Sequence, residues 1–364
     1  MKSIRITSVL ITAFVMILSG CNNKDNKMQK EALRIGAIIP LTGEVATYGE
    51  SLKKGFEMAV DEDSVRFEII YEDSKADKNT GISAINKLIS SDIVKFIFSD
   101  ATSGVTLAIA PIAEKNKVIL FDAIATSDAI IKSGDYVFRN APSNFKQATK
   151  AVTFIIKDLN VRDIAIIYNQ TDYGINLSEK FKSELDSLNI IPVFEASYQD
   201  GTVDFKTMLS NLKSSGAKTV FVPGNYEETA NILKQARQIG ITIPFVGTDG
   251  AYSPKLIEIA GSASDNFYLT MMGVDESSEM YQNYVLKYRS KYHTEPDVFS
   301  SYGYEAAKIL FSSIKIAGYN SEKVKEYLYS NTFPSLTGKL NFDQDGEVIR
   351  DYVILKVING SFSQ

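Results

Sequence analysis

Short apolar runs of the β type alternate with amphipathic helical segments along this chain from Leu33 onward. The first run, 34–39, is stopped by Pro40, and a helical spacing of apolar residues begins at Leu52 after a polar loop. This alternation predicts parallel sheets with helices on both faces. Further predicted strands are 67–71, 94–98, 118–121, 164–168, 219–222 and 245–246, and predicted helices include 80–90, 104–116, 177–188 and 227–239.

The N-terminus has the features of an export signal. Lys2 and Arg5 precede an apolar run, 6–18, which is too short to span a bilayer but suits the core of a signal peptide. The sequence Leu-Ser-Gly-Cys at 18–21 resembles a bacterial lipobox, in which cleavage precedes a cysteine that is then lipidated. We therefore expect a signal peptide over 1–20, a lipid on Cys21 and a polar tether over 21–32. An ordinary secretory signal with a chance cysteine is the alternative.

Charge and composition limit the partners, the disulfides and the membrane anchors that this chain can have. With Lys2 and Arg5 removed from the 39 basic residues, the 44 acidic residues remain in excess. This balance argues against nucleic acid or an anionic membrane surface as partner. Cys21 is the only cysteine, so no internal disulfide is possible. After residue 18 no apolar run is long enough to cross a bilayer, which would leave the lipid as the membrane anchor.

Enzymatic chemistry has little support in the sequence. His293 is the only histidine, and neither a P-loop nor zinc-type spacing is present. Paired carboxylates alone leave hydrolysis open. We expect no catalytic residue, no cofactor and no metal site.

Hydroxyl side chains follow two predicted strands. In parallel sheets, ligands bind beyond the carboxyl ends of the strands. Thr102 and Ser103 open the helix predicted over 104–116, where they can cap its free amides or, with those amides, hold a carboxylate. Thr126, after the strand 118–121, can offer a hydroxyl and an amide to an anion, or can cap a short helix near 128–131. Ser103 and Thr126 could converge on one carboxylate.

The second half of the chain places other polar groups at strand ends. Asp249 lies between small residues after the strand 245–246 and can accept hydrogen bonds from an ammonium, or can serve a turn through its own backbone. Asn225, Tyr226 and Tyr173 also follow predicted strands. Aromatic side chains there can form an apolar wall with a polar tip, or can be half-buried surface tyrosines.

These segments together resemble the branched-chain amino-acid-binding type of periplasmic binding protein, the type I fold that serves ABC importers. The similarity runs from about residue 33 to near the end of the chain, and the order of its segments is highly specific. The segments that carry it are 35–43, 48–49, 102–106, 110–114, 125–127, 172–174, 245–247 and 249–250.

The resemblance implies roles for the residues of these loops. Ser103 and Thr126 would hold the α-carboxylate of a ligand, aided by backbone groups near Ile124. Asp249 would be the partner of the α-ammonium group.

The resemblance also implies a wall around the side chain of the ligand. Asn225 or Tyr226 would lie beside the ammonium partner. Tyr48 and Tyr173 would close over the ligand from opposite lobes, and Tyr304 is a weaker candidate.

Three positions depart from the family pattern. Asp122 stands where a small or neutral residue is usual, and Asp100 adds a carboxylate in the neighbouring loop. If either faces the cleft, a purely aliphatic ligand is disfavoured. Asn225 stands where an aromatic residue often occurs.

The expected architecture is two doubly wound α/β lobes joined by three crossing segments near Pro142, Gly273 and Ile349, which act as a hinge. The first lobe would hold 33–141 and 275–347, and the second 142–274 and 348–364. The expected function is capture of an amino acid or a related small zwitterion by a monomeric lipoprotein, for delivery to a membrane permease. A ligand-sensing module of the same fold, binding an amide or a carboxylate, is the alternative.

Overall fold

The computed structural model describes residues 32–364. The expected signal peptide, the lipid-bearing Cys21 and the tether, apart from Ala32, lie outside the described residues. The described residues form two separate, mainly parallel sheets, each with its own helices, and a small two-stranded hairpin.

The first sheet contains five parallel strands in the order β2-β1-β3-β4-β5. The strands β3, β4 and β5 are buried along their whole length, and their residues are apolar except for Asp122 and Arg139 at the ends of β4 and β5. Such burial is expected for a parallel sheet covered by helices. Its elements are β1 (Leu33–Ile39), α1 (Ala46–Glu62), β2 (Phe67–Asp73), α2 (Lys78–Ser90), β3 (Phe96–Phe98), α3 (Ser103–Lys115), β4 (Ile119–Asp122) and β5 (Val137–Arg139).

The second sheet contains seven strands in the order β14-β13-β10-β9-β8-β6-β7. Five of them are parallel, and β13 and β14 are antiparallel additions at one edge. Its elements are α4 (Asn144–Thr153), β6 (Ile164–Asn169), α5 (Asp172–Ser187), β7 (Phe194–Tyr198), α6 (Lys206–Ser214), β8 (Thr219–Val222), α7 (Tyr226–Gln238), β9 (Phe245–Gly247), α8 (Pro254–Ala260), β10 (Tyr268–Met272), β13 (Tyr352–Ile358) and β14 (Ser361–Ser363).

Three helices that follow β10 in the chain return to the first sheet. Phe311 stacks on Phe67 of β2 at a ring separation of 4.0 Å, and the Tyr292 hydroxyl donates to the backbone oxygen of Lys54 in α1. The returning elements are α9 (Glu279–Tyr292), α10 (Val298–Ala317), α11 (Ser321–Ser330) and the hairpin of β11 (Thr332–Ser335) with β12 (Gly338–Asn341). The predicted fold class of two doubly wound α/β lobes is therefore confirmed.

The chain passes between the two sheets three times within the described residues: between β5 and α4, between β10 and α9, and between β12 and β13. Hydrogen bonds tie these passages together. The Tyr302 hydroxyl donates to the Gly273 oxygen at 2.9 Å, and the Tyr352 hydroxyl donates to the Pro142 oxygen at 3.0 Å. We retain the expected lobe boundaries and the hinge as proposals.

Some elements differ from the expectations. The antiparallel edge formed by β13 and β14 was not predicted, nor were β7 and the hairpin. The short helix expected near 128–131 is a single 3-10 turn at Ile131–Ser133, with Ile130 rather than Thr126 before it. In residues 32–364 no helix combines the length and the apolar character needed to cross a membrane.

Candidate functional site

A cleft of about 510 Å³ lies where the carboxyl ends of the two sheets face each other. Loops that follow strands of both sheets, and the first turns of the helices after those loops, line it together with Phe299 of α10. Such a cleft between lobes, with a few convergent polar groups, is the usual form of a small-molecule site. Eight of the nine predicted ligand residues line it: Tyr48, Thr102, Ser103, Ile124, Thr126, Tyr173, Asn225 and Asp249.

The ninth predicted ligand residue, Tyr226, lies behind the wall of the cleft. Its ring packs edge-on against Tyr48 at 5.6 Å, and its hydroxyl donates to the backbone oxygen of Glu44. Tyr304, the weaker candidate, lies away from the cleft. Its hydroxyl donates to Glu62 at 2.7 Å, and its ring lines a separate cavity of about 160 Å³.

The N-terminus of α3 opens towards the cleft without a side-chain cap. Thr102 is the residue before the helix, but its hydroxyl donates to Asp100 at 2.5 Å and makes no capping bond. The interpretation of Thr102 as a cap is therefore wrong. The first amides of α3 have no partner within the helix, and they and the helix dipole favour an anion.

The loop after β4 lies beside this helix end. The Ser127 amide donates to the Ser103 hydroxyl at 3.2 Å, which joins the two hydroxyl-bearing loops. The backbone oxygen of Thr126 accepts a hydrogen bond at 2.8 Å from the backbone amide of Asn144, which lies in the second lobe. Among residues 32–364 the Thr126 hydroxyl and the Thr126 amide have no hydrogen-bond partner, and Thr126 lines the cleft.

Asp249 lies on the opposite side of the cleft and is buried. Its Oδ1 accepts hydrogen bonds from Gln147 at 2.7 Å and from the Tyr173 hydroxyl at 2.5 Å. Within the described part of the chain, Oδ2 has no hydrogen-bond partner. Burial raises the pKa of this carboxyl, and the hydrogen bonds from Tyr173 and Gln147 oppose the shift. The arrangement fixes one oxygen and leaves the other for a ligand cation.

Aromatic rings form the wall between these polar ends. Tyr48 packs edge-on against Phe299 at 5.3 Å, and its hydroxyl donates to the Gly250 oxygen of the second lobe. Burial raises the pKa of the Tyr48 phenol, so this hydroxyl stays a donor at neutral pH.

Other contacts also join the lobes across the cleft. Lys78 forms an ion pair with Asp172 at 2.6 Å, and the Asp128 amide donates to Asn176 at 3.3 Å. A side chain at Gly104 would meet Asp172, since its Cβ would lie 2.8 Å from Oδ2. The two lobes therefore contact each other directly.

Neither departing carboxylate of the first lobe lines the cleft. Asp100 and Asp122 are buried beneath the two loops, where Asp100 accepts a hydrogen bond from Ser74 and Asp122 accepts the Ala125 amide at 2.7 Å. Burial raises the pKa of Asp100 to about 6 and that of Asp122 to about 7. These two residues therefore give no argument against an aliphatic ligand.

The sequence interpretation missed several residues of the site. Gln147 projects from α4 and fixes Asp249, and no strand-end signal marks a residue within a helix. Glu44, Asp200 and Gln170 line the cleft and make part of its wall polar. Glu44 and Gln170 follow predicted strands, so the strand-end rule could have identified them, whereas Asp200 follows β7, a strand that was not predicted.

Comparisons with known proteins agree with this geometry. A family model described as "Periplasmic binding protein" matches residues 32–361. The chain is 28% identical over 331 residues to the leucine-, isoleucine-, valine-, threonine- and alanine-binding protein of Pseudomonas aeruginosa, which covers 88% of each chain.

Solved structures give the same result. The leucine-binding protein LivK of Thermotoga maritima is 28% identical, with a TM-score of 0.86 over 91% of this chain and 97% of that one. The branched-chain amino acid transporter substrate-binding protein LivJ of Streptococcus pneumoniae, in complex with isoleucine, is 26% identical. Its TM-score is 0.85 over 92% of this chain and 98% of that chain.

Proposed function

Because this chain belongs to the periplasmic binding protein family, we propose that it is the extracytoplasmic solute-binding lipoprotein of an ABC importer. It would capture an amino acid or a related small zwitterion by closure of its two lobes. One observation carries this proposal. Free hydroxyl and amide donors, around Ser103 and Thr126, lie across one cleft from the buried carboxylate of Asp249.

The donor side suits the carboxylate of the ligand. Thr126 offers a hydroxyl and an amide, Ser103 offers a second hydroxyl, and the uncapped end of α3 adds further amides. Hydrogen bonds from such groups to an ionised oxygen are stronger than bonds between neutral groups. No positive side chain is needed at this end of the cleft.

The acceptor side suits the ammonium of the ligand. Asp249 is buried, and a buried charge needs a paired and hydrogen-bonded partner. An ammonium between the lobes would donate to the free Oδ2 of Asp249, and its positive charge would offset the desolvation that raises the pKa of this carboxyl.

The remaining wall supports a ligand with a polar side chain. Glu44, Asp200, Asn225 and Gln170 line the cleft beyond the aromatic residues. An aliphatic side chain facing these groups would bury polar atoms without providing partners. We therefore extend the proposal to amino acids whose side chains carry hydrogen-bonding or positively charged groups, in contrast to the leucine and isoleucine in the names of the relatives.

The role of the protein in transport is supported by its relatives, which are named as binding proteins or as the substrate-binding component of a transporter. We propose a lipid on Cys21 as the anchor, a membrane permease as the partner and a monomeric state. A sensing role for the same cleft is the alternative. It predicts a ligand that lacks one or both of the two charges, such as a simple carboxylate or an amide.

A thermal-shift panel tests the proposed function. The chain from residue 21 onward with Cys21→Ser is heated with each of the twenty amino acids, and with acetate and acetamide as singly charged and neutral controls. Binding to the folded state raises the melting temperature by mass action. We expect at least one amino acid with a polar or basic side chain to raise it more than leucine does. A shift with acetate or acetamide alone would favour the sensing alternative.

A further inference from the structure

The two hydroxyl-bearing loops share a short pattern of residues. One loop reads Asp-Ala-Thr-Ser over 100–103, and the other reads Asp-Ala-Ile-Ala-Thr-Ser over 122–127. In both loops, an aspartate at the end of a strand or just after it precedes the Thr-Ser pair that carries the hydrogen-bond donors. Both aspartates are fully buried, and neither lines the cleft.

Each aspartate binds the backbone of its own loop. Asp100 Oδ1 accepts the Thr102 amide at 2.8 Å and the Thr102 hydroxyl at 2.5 Å. Asp122 Oδ1 accepts the Ile124 amide at 2.9 Å and the Ala125 amide at 2.7 Å. The aspartates therefore bind the amides that precede the donors, while Ser103 and the Thr126 amide are left for the cleft.

The hydrogen bonds of Asp100 also explain the uncapped helix. A threonine before a helix usually accepts a bond from one of the first amides. Here the Thr102 hydroxyl is turned towards Asp100, and α3 has no side-chain cap. The buried carboxylate thus keeps the end of α3 open to an anion.

A third buried residue supports the second loop from its far end. Arg139 of β5 is the register neighbour of Asp122 and is fully buried. It donates to the Ser127 oxygen at 2.8 Å and pairs with Glu347 at 3.0 Å. The segment around Thr126 is therefore held on both sides, by Asp122 before it and by Arg139 after it.

We propose that Asp100 and Asp122 are positioning residues, which shape the two loops so that Ser103, Thr126 and the end of α3 present their donors to the carboxylate of a ligand. This inference rests on the proposed function for the nature of the ligand. It assigns the two acids to construction of the site rather than to contact with the ligand.

The test compares alanine and asparagine at each position. Asp122→Ala removes the acceptor, whereas Asp122→Asn keeps an oxygen where Oδ1 accepts both amides. Asp100→Ala and Asp100→Asn form the second pair. Ser74→Ala is the control, because it removes the hydrogen bond from Ser74 to Asp100 and leaves those of Thr102 in place.

The first measurement needs no ligand. Amide hydrogen exchange, followed by NMR on the folded protein, reports the order of each loop. We expect Asp122→Ala to speed exchange of the Ile124 and Ala125 amides at least tenfold, and Asp100→Ala to do so for Thr102. The asparagine variants and Ser74→Ala should stay within threefold of the parent. Unchanged exchange in the alanine variants, or equal loss in the asparagine variants, would overturn the inference.

The second measurement uses whichever of the twenty amino acids raises the melting temperature of the parent chain most. Its affinity should fall at least tenfold in the alanine variants and less than threefold in the asparagine variants. If no amino acid shifts the parent chain, the proposed function fails while the exchange data still decide the loop inference. If exchange speeds but affinity is unchanged, the positioning role is refuted and the proposed function stands.

Discussion

The charge of Asp249 is the first test at the scale of single residues. Asp249→Asn keeps the oxygen that accepts from Gln147 and Tyr173 but replaces Oδ2 with a donor. Removing one partner of a buried charged pair costs about 2–5 kcal/mol. We therefore expect at least a tenfold loss of affinity for the best amino acid of the panel, at about 1.4 kcal/mol per decade, measured by titration calorimetry.

Two further variants complete that experiment. Ser103→Ala removes one neutral hydroxyl and leaves the amides of α3, so we expect a smaller cost of roughly 1–3 kcal/mol. Tyr304→Phe is the matched control, because its hydroxyl contacts Glu62 outside the cleft. Normal binding by Asp249→Asn would refute the zwitterion model for this side of the cleft.

The buried acids also make stability depend on pH. Burial raises the pKa of Asp122 from 3.8 to about 7, so the folded state holds this proton more tightly than the unfolded state does. The stability that the protonated form contributes is complete below about pH 4 and is lost as the pH rises to about 7.

Asp122→Asn removes this dependence because an amide does not titrate. Between pH 4 and 7 we expect the free energy of unfolding of the parent chain to fall, relative to that of the variant, by at least about 1 kcal/mol. Urea unfolding at several pH values measures both. Curves that remain parallel would show that Asp122 does not titrate in this range.

At the scale of elements, we expect the start of α7 to favour closure from behind the wall of the cleft. Tyr226 lies behind the cleft wall, and its hydroxyl crosses the lobes to the Glu44 oxygen. Tyr226→Phe keeps the ring and removes this bond, which is worth about 0.5–1.5 kcal/mol. We expect a roughly three- to tenfold loss of affinity, seen by titration calorimetry, because the closed state is weakened.

Tyr284→Phe is the control for that variant. Its hydroxyl bonds to Ser300, and both residues lie in helices packed on the first sheet. An equal loss of affinity in the two variants would show that the effect is general destabilisation and not altered closure.

The elements also show what could be predicted from the sequence. Buried parallel strands are continuous apolar runs, so β1, β4, β6 and β8 were predicted to within about two residues. The partly exposed β7 was missed, because its apolar residues are mixed with polar ones. The antiparallel edge was missed because strand direction depends on the path of the chain between lobes, and the local pattern does not record it.

The same limit applies to the site. Strand-end loops placed Ser103, Thr126 and Asp249 on one cleft, because parallel strands bring their carboxyl ends to the same edge. Whether Asp122 faces the ligand or the interior depends on the hydrogen bonds of its loop. Gln147 could not be identified from the sequence, because it lies in α4 among buried positions that the helix also needs for packing.

At the scale of the whole molecule, closure should be visible in solution. A ligand shifts the lobes towards the closed state only through its greater affinity for that state. Under the proposed function, Ser103 and Thr126 on one lobe and Asp249 on the other would provide such contacts. We expect small-angle scattering to show a smaller radius of gyration with the best amino acid of the panel. An unchanged radius at saturation would count against the hinge.

The anchor belongs to the same scale. Cys21→Ser in the full chain should release the protein from the membrane fraction of a bacterial host, since the thiol is the expected site of the lipid. The released protein should keep the affinity of the parent, measured by titration calorimetry. Retention in the membrane fraction would show that something other than this thiol holds it.

The threefold passage of the chain between the sheets has a consequence for the order of folding. α1 packs against α10, which lies more than two hundred residues later in the chain. The second sheet is likewise incomplete until β13 and β14 have been synthesised. During synthesis from the N-terminus, neither half can bury its apolar surface fully until the last segments emerge. The newly made polypeptide therefore stays incompletely packed for nearly its whole length, which favours post-synthetic over stepwise folding.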